Sequence, residues 1–239
     1  MNVVAIVQVR TGSTRLPAKI LEDIMGKTML WHFFERIKKS KLINKIVIAT
    51  TTKERDNVVV EFAKENSFEF YRGSEDDVLD RFYQTARIHK ADPVVRVTPD
   101  CPLIDPQIVD EVIKQFLESN YDYICNTYSM EGKPVYPPGF DVEIFSYGAL
   151  EKAWRGAKDL LEREHVTLYF RRHPELFKIG SVGPKEDLSH IKLDVDYARD
   201  LKFVREIYKR LHKEGEIFYL EDILNLLKKY PALMDINKK

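Results

Sequence analysis

Arg10, Arg15 and Lys19 place three cations within ten residues, with Gly12, Ser13 and Thr14 among them. The long side chains supply diffuse positive charge, and the small residues supply directional N–H and hydroxyl donors. That mixture suits an oligophosphate. The spacing is neither GxxxxGK[ST] nor GxGxxG, so generic NTPase and dinucleotide sites lose ground. A solvated basic loop is the plainer alternative. A phosphate site also calls for carboxylates, because Mg²⁺ takes one or two of them together with phosphate oxygens and water. Asp100 is the first candidate, directly after an apolar run, although Pro99-Asp100-Cys101-Pro102 is also an ordinary turn sequence.

These side chains need a scaffold, and the apolar pattern predicts one. Val3 to Val9, Lys45 to Thr51, Ser67 to Tyr71 and Pro93 to Thr98 read as strands, the first two buried on both faces. Thr28 to Ser40, Asp56 to Asn66 and Ser74 to Lys90 read as helices between them. Ser74 with Asp77 has capping-box spacing, Arg81 lies one turn beyond Asp77 as a pairing partner, and Asp105-Pro106 opens a further helix. Alternating strands and helices imply an α/β fold around a mostly parallel sheet. The basic loop then sits at the carboxyl end of the first strand, where open α/β sheets bind ligands.

The second half is less regular. Phe140 to Phe145 and Ile191 to Val195 read as strands, and Asp159 to Arg172 and Tyr197 to His212 as helices. The expectation is one domain over 1–239, with a nucleotide-binding half over 1–130. Residues 131–239 form the second half. Asp141 and Glu143 share a strand face, suited to sugar hydroxyls, a metal or plain solvent. Arg72, Gly73 and Ser74 precede a helix N-terminus, where free N–H groups read base edges or bind anions.

Lys plus Arg total 38 and Asp plus Glu total 38, a net charge of zero. That excludes a broadly basic nucleic-acid binder and a polybasic membrane anchor. Cys101 and Cys125 are the only two cysteines and have no CxxC spacing, which argues against a disulfide scaffold or a cysteine zinc site and fits a reducing cytoplasm. No apolar run approaches the length of a membrane span. No nucleophile elbow or cysteine–histidine signature is present, so no dedicated nucleophile stands out.

The run Gln8-x-Arg10-x-x-Ser13-x-Arg15-Leu16-Pro17-x-Lys19 resembles the signature of cytidylyltransferases that activate acidic sugars, in particular the SpsF-like branch of spore-coat polysaccharide biosynthesis. The resemblance continues through Ala49-Thr50-Thr51, Tyr71 to Arg81, Arg96 to Pro106, Gly139 to Glu143 and Glu162 to Thr167. It implies a GT-A-like nucleotidyltransferase fold, Mg²⁺ dependence, a homodimer, and CMP transfer from CTP to a sugar acid with loss of pyrophosphate, with residues 131–239 binding the acceptor, completing the metal site and carrying the dimer contact. Gln8, Arg10, Gly12, Ser13, Arg15 and Lys19 match its triphosphate loop, with Arg10 and Lys19 as catalytic groups alongside Asp100. Arg72, Gly73 and Ser74 match its nucleobase region.

Asp100 matches a metal-binding aspartate of that family, and Asp196 matches the late aspartate that completes the metal site, with Asp194 as the fallback. Asp196 in that position is also a natural helix N-cap. Asp141, Glu143 and His165 become acceptor-site residues, and His165 alternatively a dimer contact. Three departures stand out. Val9 replaces an alanine and is expected to narrow the space near the nucleotide, Ala18 replaces a glycine, and Tyr197-Ala198 replaces Thr-Pro. Two alternatives are a GT-A glycosyltransferase, for which Asp194-Val195-Asp196 has the DxD form, and a non-catalytic nucleotide-binding module.

Overall fold

Strand β1 (Val4–Gln8) lies inside the sheet, and its alternating side chains feed both faces. Ala5 and Val7 join one apolar cluster, while Val4 and Ile6 join the other. This explains why a continuous apolar run, rather than an alternating one, encodes the strand. The computed structural model describes residues 1–128 and 132–238. The 130/131 division between the two halves falls outside the described residues.

After β1 come a short hairpin, β2 (Asp23–Ile24) and β3 (Lys27–Thr28), and helix α1 (Met29–Ile37). Thr28 caps α1 by accepting from Trp31 N at 3.2 Å, and Met29, Leu30, Phe33, Phe34 and Ile37 are buried. Strand β4 (Lys45–Thr51), helix α2 (Asn57–Glu65), strand β5 (Glu69–Gly73), helix α3 (Val78–His89) and strand β6 (Val94–Val97) follow in the expected alternation. Helix α4 (Pro106–Leu117) opens as anticipated, with Asp105 accepting from Gln107 N at 2.8 Å.

The second half supplies β7 (Tyr123–Cys125), β8 (Glu143–Phe145), α5 (Tyr147–Gly156), α6 (Leu160–Glu164), α7 (Leu168–Arg172), β9 (Ile179–Ser181), α8 (Ala198–Leu211) and α9 (Leu220–Lys229). The seven-stranded sheet has the order β5-β4-β1-β6-β8-β7-β9. Only β8 runs against its neighbours, so β7 points the same way as β1 and β6. The carboxyl ends of β1, β4, β5, β6 and β7 therefore share one edge. The sheet is mostly parallel, mixed and flanked by helices, in agreement with the expected fold class.

Four local expectations are corrected. Ile191 to Val195 is not a strand. Its backbone bonds to two different loops, Leu193 N to Pro138 O at 2.7 Å and Val195 N to Asp100 O at 2.8 Å, so no ladder forms. Asp159 to Arg172 is two short helices, α6 and α7, because the chain turns at His165 to Thr167. Helix α3 is capped by Asp77, which accepts from Asp80 N at 2.9 Å, while Ser74 bonds Asp77 N from outside the helix. The Asp77 carboxylate pairs with Arg163 at 2.6 Å and not with Arg81.

Candidate active site

The loop after β1 is fixed from below by Asp56, which is fully buried. Its carboxylate accepts from Thr11 N at 2.7 Å and Thr11 Oγ1 at 2.8 Å, and it also accepts from Thr51 at the end of β4. Burial pushes this carboxyl up, but the bonds from Thr51 and Thr11 outweigh it and hold it below the usual range. Asp56→Ala is expected to lower stability by about 1–3 kcal/mol, because it strands buried donors. It should also raise the KM for nucleotide by loosening Thr11. Denaturant unfolding and steady-state kinetics check both effects. An unchanged midpoint with unchanged KM would remove Asp56 as the anchor.

Lys19 begins a short 3-10 helix and turns its ammonium inward. Nζ lies 3.0 Å from Asp100 Oδ2, 2.7 Å from Val195 O and 3.5 Å from Asp196 Oδ1. The preceding Ala18 has φ 52 and ψ 27, a left-handed conformation that costs a non-glycine residue roughly 1–2 kcal/mol. That accounts for glycine at this position in the motif that the loop resembles. Val9 is buried in the core and does not line the cavity, so it does not narrow the nucleotide space as expected.

A cavity of about 530 Å³ opens at the shared strand edge. Gln8, Arg10, Gly12, Ser13, Arg15 and Lys19 line one side, and Asp100, Asp141, Glu143, Asp194 and His165 also line it. Arg72, Gly73 and Ser74 do not. Arg72 spends its guanidinium on Thr51 O at 2.8 Å, Lys53 O at 3.0 Å and Asn57 Oδ1 at 2.9 Å, bracing the turn after β4. Arg81, from the same region, lines the cavity instead. Burial, and then the nearby Arg10 charge, push its pKa down to about 10.

The remaining cations are variously engaged. Arg15 holds Asp196 at 2.7 Å, and Arg10 reaches Glu75 and Glu164 at 3.9 and 4.0 Å. Arg96 pairs with Glu143, which also accepts from Tyr123 Oη at 2.5 Å. Burial raises the Glu143 carboxyl, but Arg96 and the hydroxyl donors more than offset it and keep it low. Glu143 thus faces the cavity with its charge already cancelled.

Asp196 is not the cap of α8. Asp200 takes that part, accepting from Asp196 N at 3.0 Å and Tyr197 N at 2.9 Å. The extended 191–195 segment buries Ile191, Leu193 and Val195 and turns Lys192 and Asp194 the other way. Gly139 lets this segment approach, since a Cβ there would stand 2.5 Å from Leu193 C and its φ is +110. Asp194 consequently lines the cavity with Asp141 and Asp100, while Asp196 is taken by Arg15 and Lys19.

Asp141 carries the clearest electrostatic signature. Burial raises its pKa to about 7, and the charges of Asp100, Asp194 and Glu143 add to that. Such a set fits a divalent cation, which would relieve the repulsion. Among the described residues no three His, Cys, Asp or Glu side chains form a preformed cage. A cation there would take its other ligands from phosphate and water.

The raised pKa has a consequence for stability. The folded chain holds this proton more tightly than the unfolded chain, so this contribution falls as pH rises from about 4 to about 7. Asp141→Asn should therefore raise the Tm of the metal-free protein more at pH 8 than at pH 5. An equal gain at both pH values would contradict the assignment.

Residues 4–235 match the family model described as cytidylyltransferase. The spore coat polysaccharide biosynthesis protein SpsF of Bacillus subtilis is 29% identical over 238 residues, covering 96% of this chain and 95% of its own. A 3-deoxy-manno-octulosonate cytidylyltransferase of Geotalea uraniireducens is 34% identical over 257 residues, covering 96% and 100%. The solved structure of a cytidylyltransferase from Leptospira borgpetersenii superposes with a TM-score of 0.92 at 31% identity, covering 100% of this chain and 98% of that one.

Proposed function

The chain belongs to the cytidylyltransferase family, and on that premise we propose that it transfers CMP from CTP to a hydroxyl of a sugar acid, releasing pyrophosphate. The observation that carries this is one cavity with three loop cations, Arg10, Arg15 and Lys19, and three carboxylates, Asp100, Asp141 and Asp194. The cations suit the triphosphate, with Gly12 and Ser13 as donors and Gln8 beside them. Asp100 and Asp194 would hold Mg²⁺, with Asp141 in reach and Asp196 keeping Arg15 and Lys19 in place. Bound Mg²⁺ supplies charge neutralisation at the α-phosphate and pyrophosphate oxygens.

Arg15 and Lys19 are held by Asp196 and Asp100, and these contacts orient both charges to meet phosphate oxygens. Asp141, Thr127, Thr167 and His165 offer polar groups to the acceptor. A positioned hydroxyl and a neutralised leaving group account for most of the rate enhancement such a reaction needs. A glycosyltransferase built on Asp194-Val195-Asp196 is disfavoured, because only Asp194 of that pair lines the cavity. A non-catalytic module is disfavoured by the complete set of cations and carboxylates.

The same reading makes the chain one domain, with the nucleotide on residues 1–130 and the acceptor on residues 131–239. It also makes the protein a cytoplasmic homodimer with no nucleic-acid or membrane partner. The two free, buried cysteines agree with a reducing compartment, and no described helix is long and apolar enough to cross a membrane. Exposed Leu160 and Leu161 on α6 are candidates for the dimer contact.

A thermal-shift screen of CTP, UTP, GTP and ATP with and without Mg²⁺ tests the nucleotide. CTP with Mg²⁺ should give the largest rise in Tm. A larger rise with another nucleotide would redirect the assignment.

A further inference from the structure

Tyr197 and Ala198 stand where the motif that this segment resembles has Thr-Pro, so the ring is a feature of this chain. Tyr197 is 38% exposed, although it directly follows Asp196. Two guanidiniums share its ring. The Arg15 guanidinium carbon lies 5.7 Å from the ring centre and that of Arg199 lies 4.8 Å from it. Both distances fall within the range of cation–π attraction. Arg15 lines the cavity and pairs with Asp196 at 2.7 Å, so it joins the cavity to this outer pair.

Arg199 has no comparable partner. Among the described residues no carboxylate lies in ion-pairing distance of it, and its Nε is buried without a hydrogen bond. Asp196 is already shared by Arg15 and Lys19. Asp200 is taken by Lys192 and by the N–H groups of Asp196 and Tyr197. Arg199 also stands in the first turn of α8, a 14-residue helix, where the helix dipole disfavours a cation. The fold thus gathers two like charges on one ring and sets one of them at the positive end of a helix. An anion between them compensates both. The planar fork of Arg199 matches phosphate oxygens bidentately, and the Tyr197 ring orients it without carrying a competing charge.

We propose that Arg199 and Arg15, gathered on Tyr197, form an outer anion subsite that takes the pyrophosphate end of the triphosphate and retains pyrophosphate after the transfer. The identity of this anion rests on the transferase assignment above. The test titrates pyrophosphate, CTP and CMP, each with Mg²⁺, into the wild type and Arg199→Met, and follows binding by calorimetry. Pyrophosphate and CTP should bind roughly 10-fold more weakly to the variant, and CMP, which lacks the terminal phosphates, equally well. Product inhibition by pyrophosphate should weaken by the same factor. Arg199→Lys should recover part of the affinity, because it keeps the charge and loses the fork. The unliganded Arg199→Met protein should melt no lower than the wild type, since a cation leaves the positive end of α8.

Unchanged binding of pyrophosphate and CTP, or an equal loss for CMP, would overturn the proposal and leave the transferase assignment standing. A lower Tm without ligand, with all three affinities unchanged, would make Arg199 a support of the helix alone and overturn it too. Weaker pyrophosphate binding by the variant, in a protein that turns over no acceptor, would uphold the subsite and overturn the transferase assignment.

Discussion

Asp100→Asn is expected to lower kcat by roughly 10³-fold while the fold survives. The side chain follows β6 and lies opposite Lys19 at 3.0 Å. Burial pushes its carboxyl up, but the Lys19 charge and the Thr98 hydroxyl outweigh that and keep it ionised. An amide of the same shape lacks the charge that a hard cation requires. The backbone is untouched, and Asp100 O still accepts from Val195 N. The variant should therefore melt near the wild-type temperature and lose the additional stabilisation that Mg²⁺ gives with CTP. Near-wild-type turnover would take Asp100 out of the catalytic set.

Lys19→Met should be comparably severe, with kcat/KM lower by about 10²- to 10³-fold. The ammonium contacts Asp100, Asp196 and Val195 O, and so ties the phosphate loop to two distant segments. Methionine keeps the length and removes the charge, leaving two carboxylates without their shared cation. Lys19→Arg should recover little, because a guanidinium cannot present a compact charge to three oxygens in the same space. Unfolding and turnover measured on both variants separate the structural loss from the catalytic one. Full rescue by arginine would show that charge alone suffices there.

The sequence carried more of this site than of its supporting structure. The loop cations, Asp100 and the Asp105-Pro106 helix start depend on neighbours in the chain, and the local pattern shows them. Asp77 misled because its partner Arg163 is 86 residues away, and no local spacing encodes that pair. Arg72 and Arg81 are both arginines near one helix start. Only the packing of the β4 turn decides that the first is spent on the backbone and the second enters the cavity.

Ile191 to Val195 has the alternation of a strand, and its apolar side chains are indeed buried. Periodicity reports burial, and the absence of a neighbouring ladder is a tertiary fact. Strands β7 and β9 are three residues each, too short for any period to register. Helix α9 did leave a signal, since Leu220, Ile223 and Leu227 fall at helical spacing and Asp222 accepts from Tyr219 N at 2.8 Å. Asp56 left a weaker one, an acid beside threonines whose partnership only the folded loop reveals.

In the proposed reaction the α-phosphorus of CTP moves to an acceptor hydroxyl in this cavity. Supplying CTP radiolabelled at that phosphorus, with Mg²⁺ and the sugar-acid panel, measures it directly. Label should appear in a CMP-sugar in one-to-one ratio with pyrophosphate, and none should appear when either acceptor or Mg²⁺ is left out. Consumption of a preformed nucleotide sugar while CTP stays intact would contradict it.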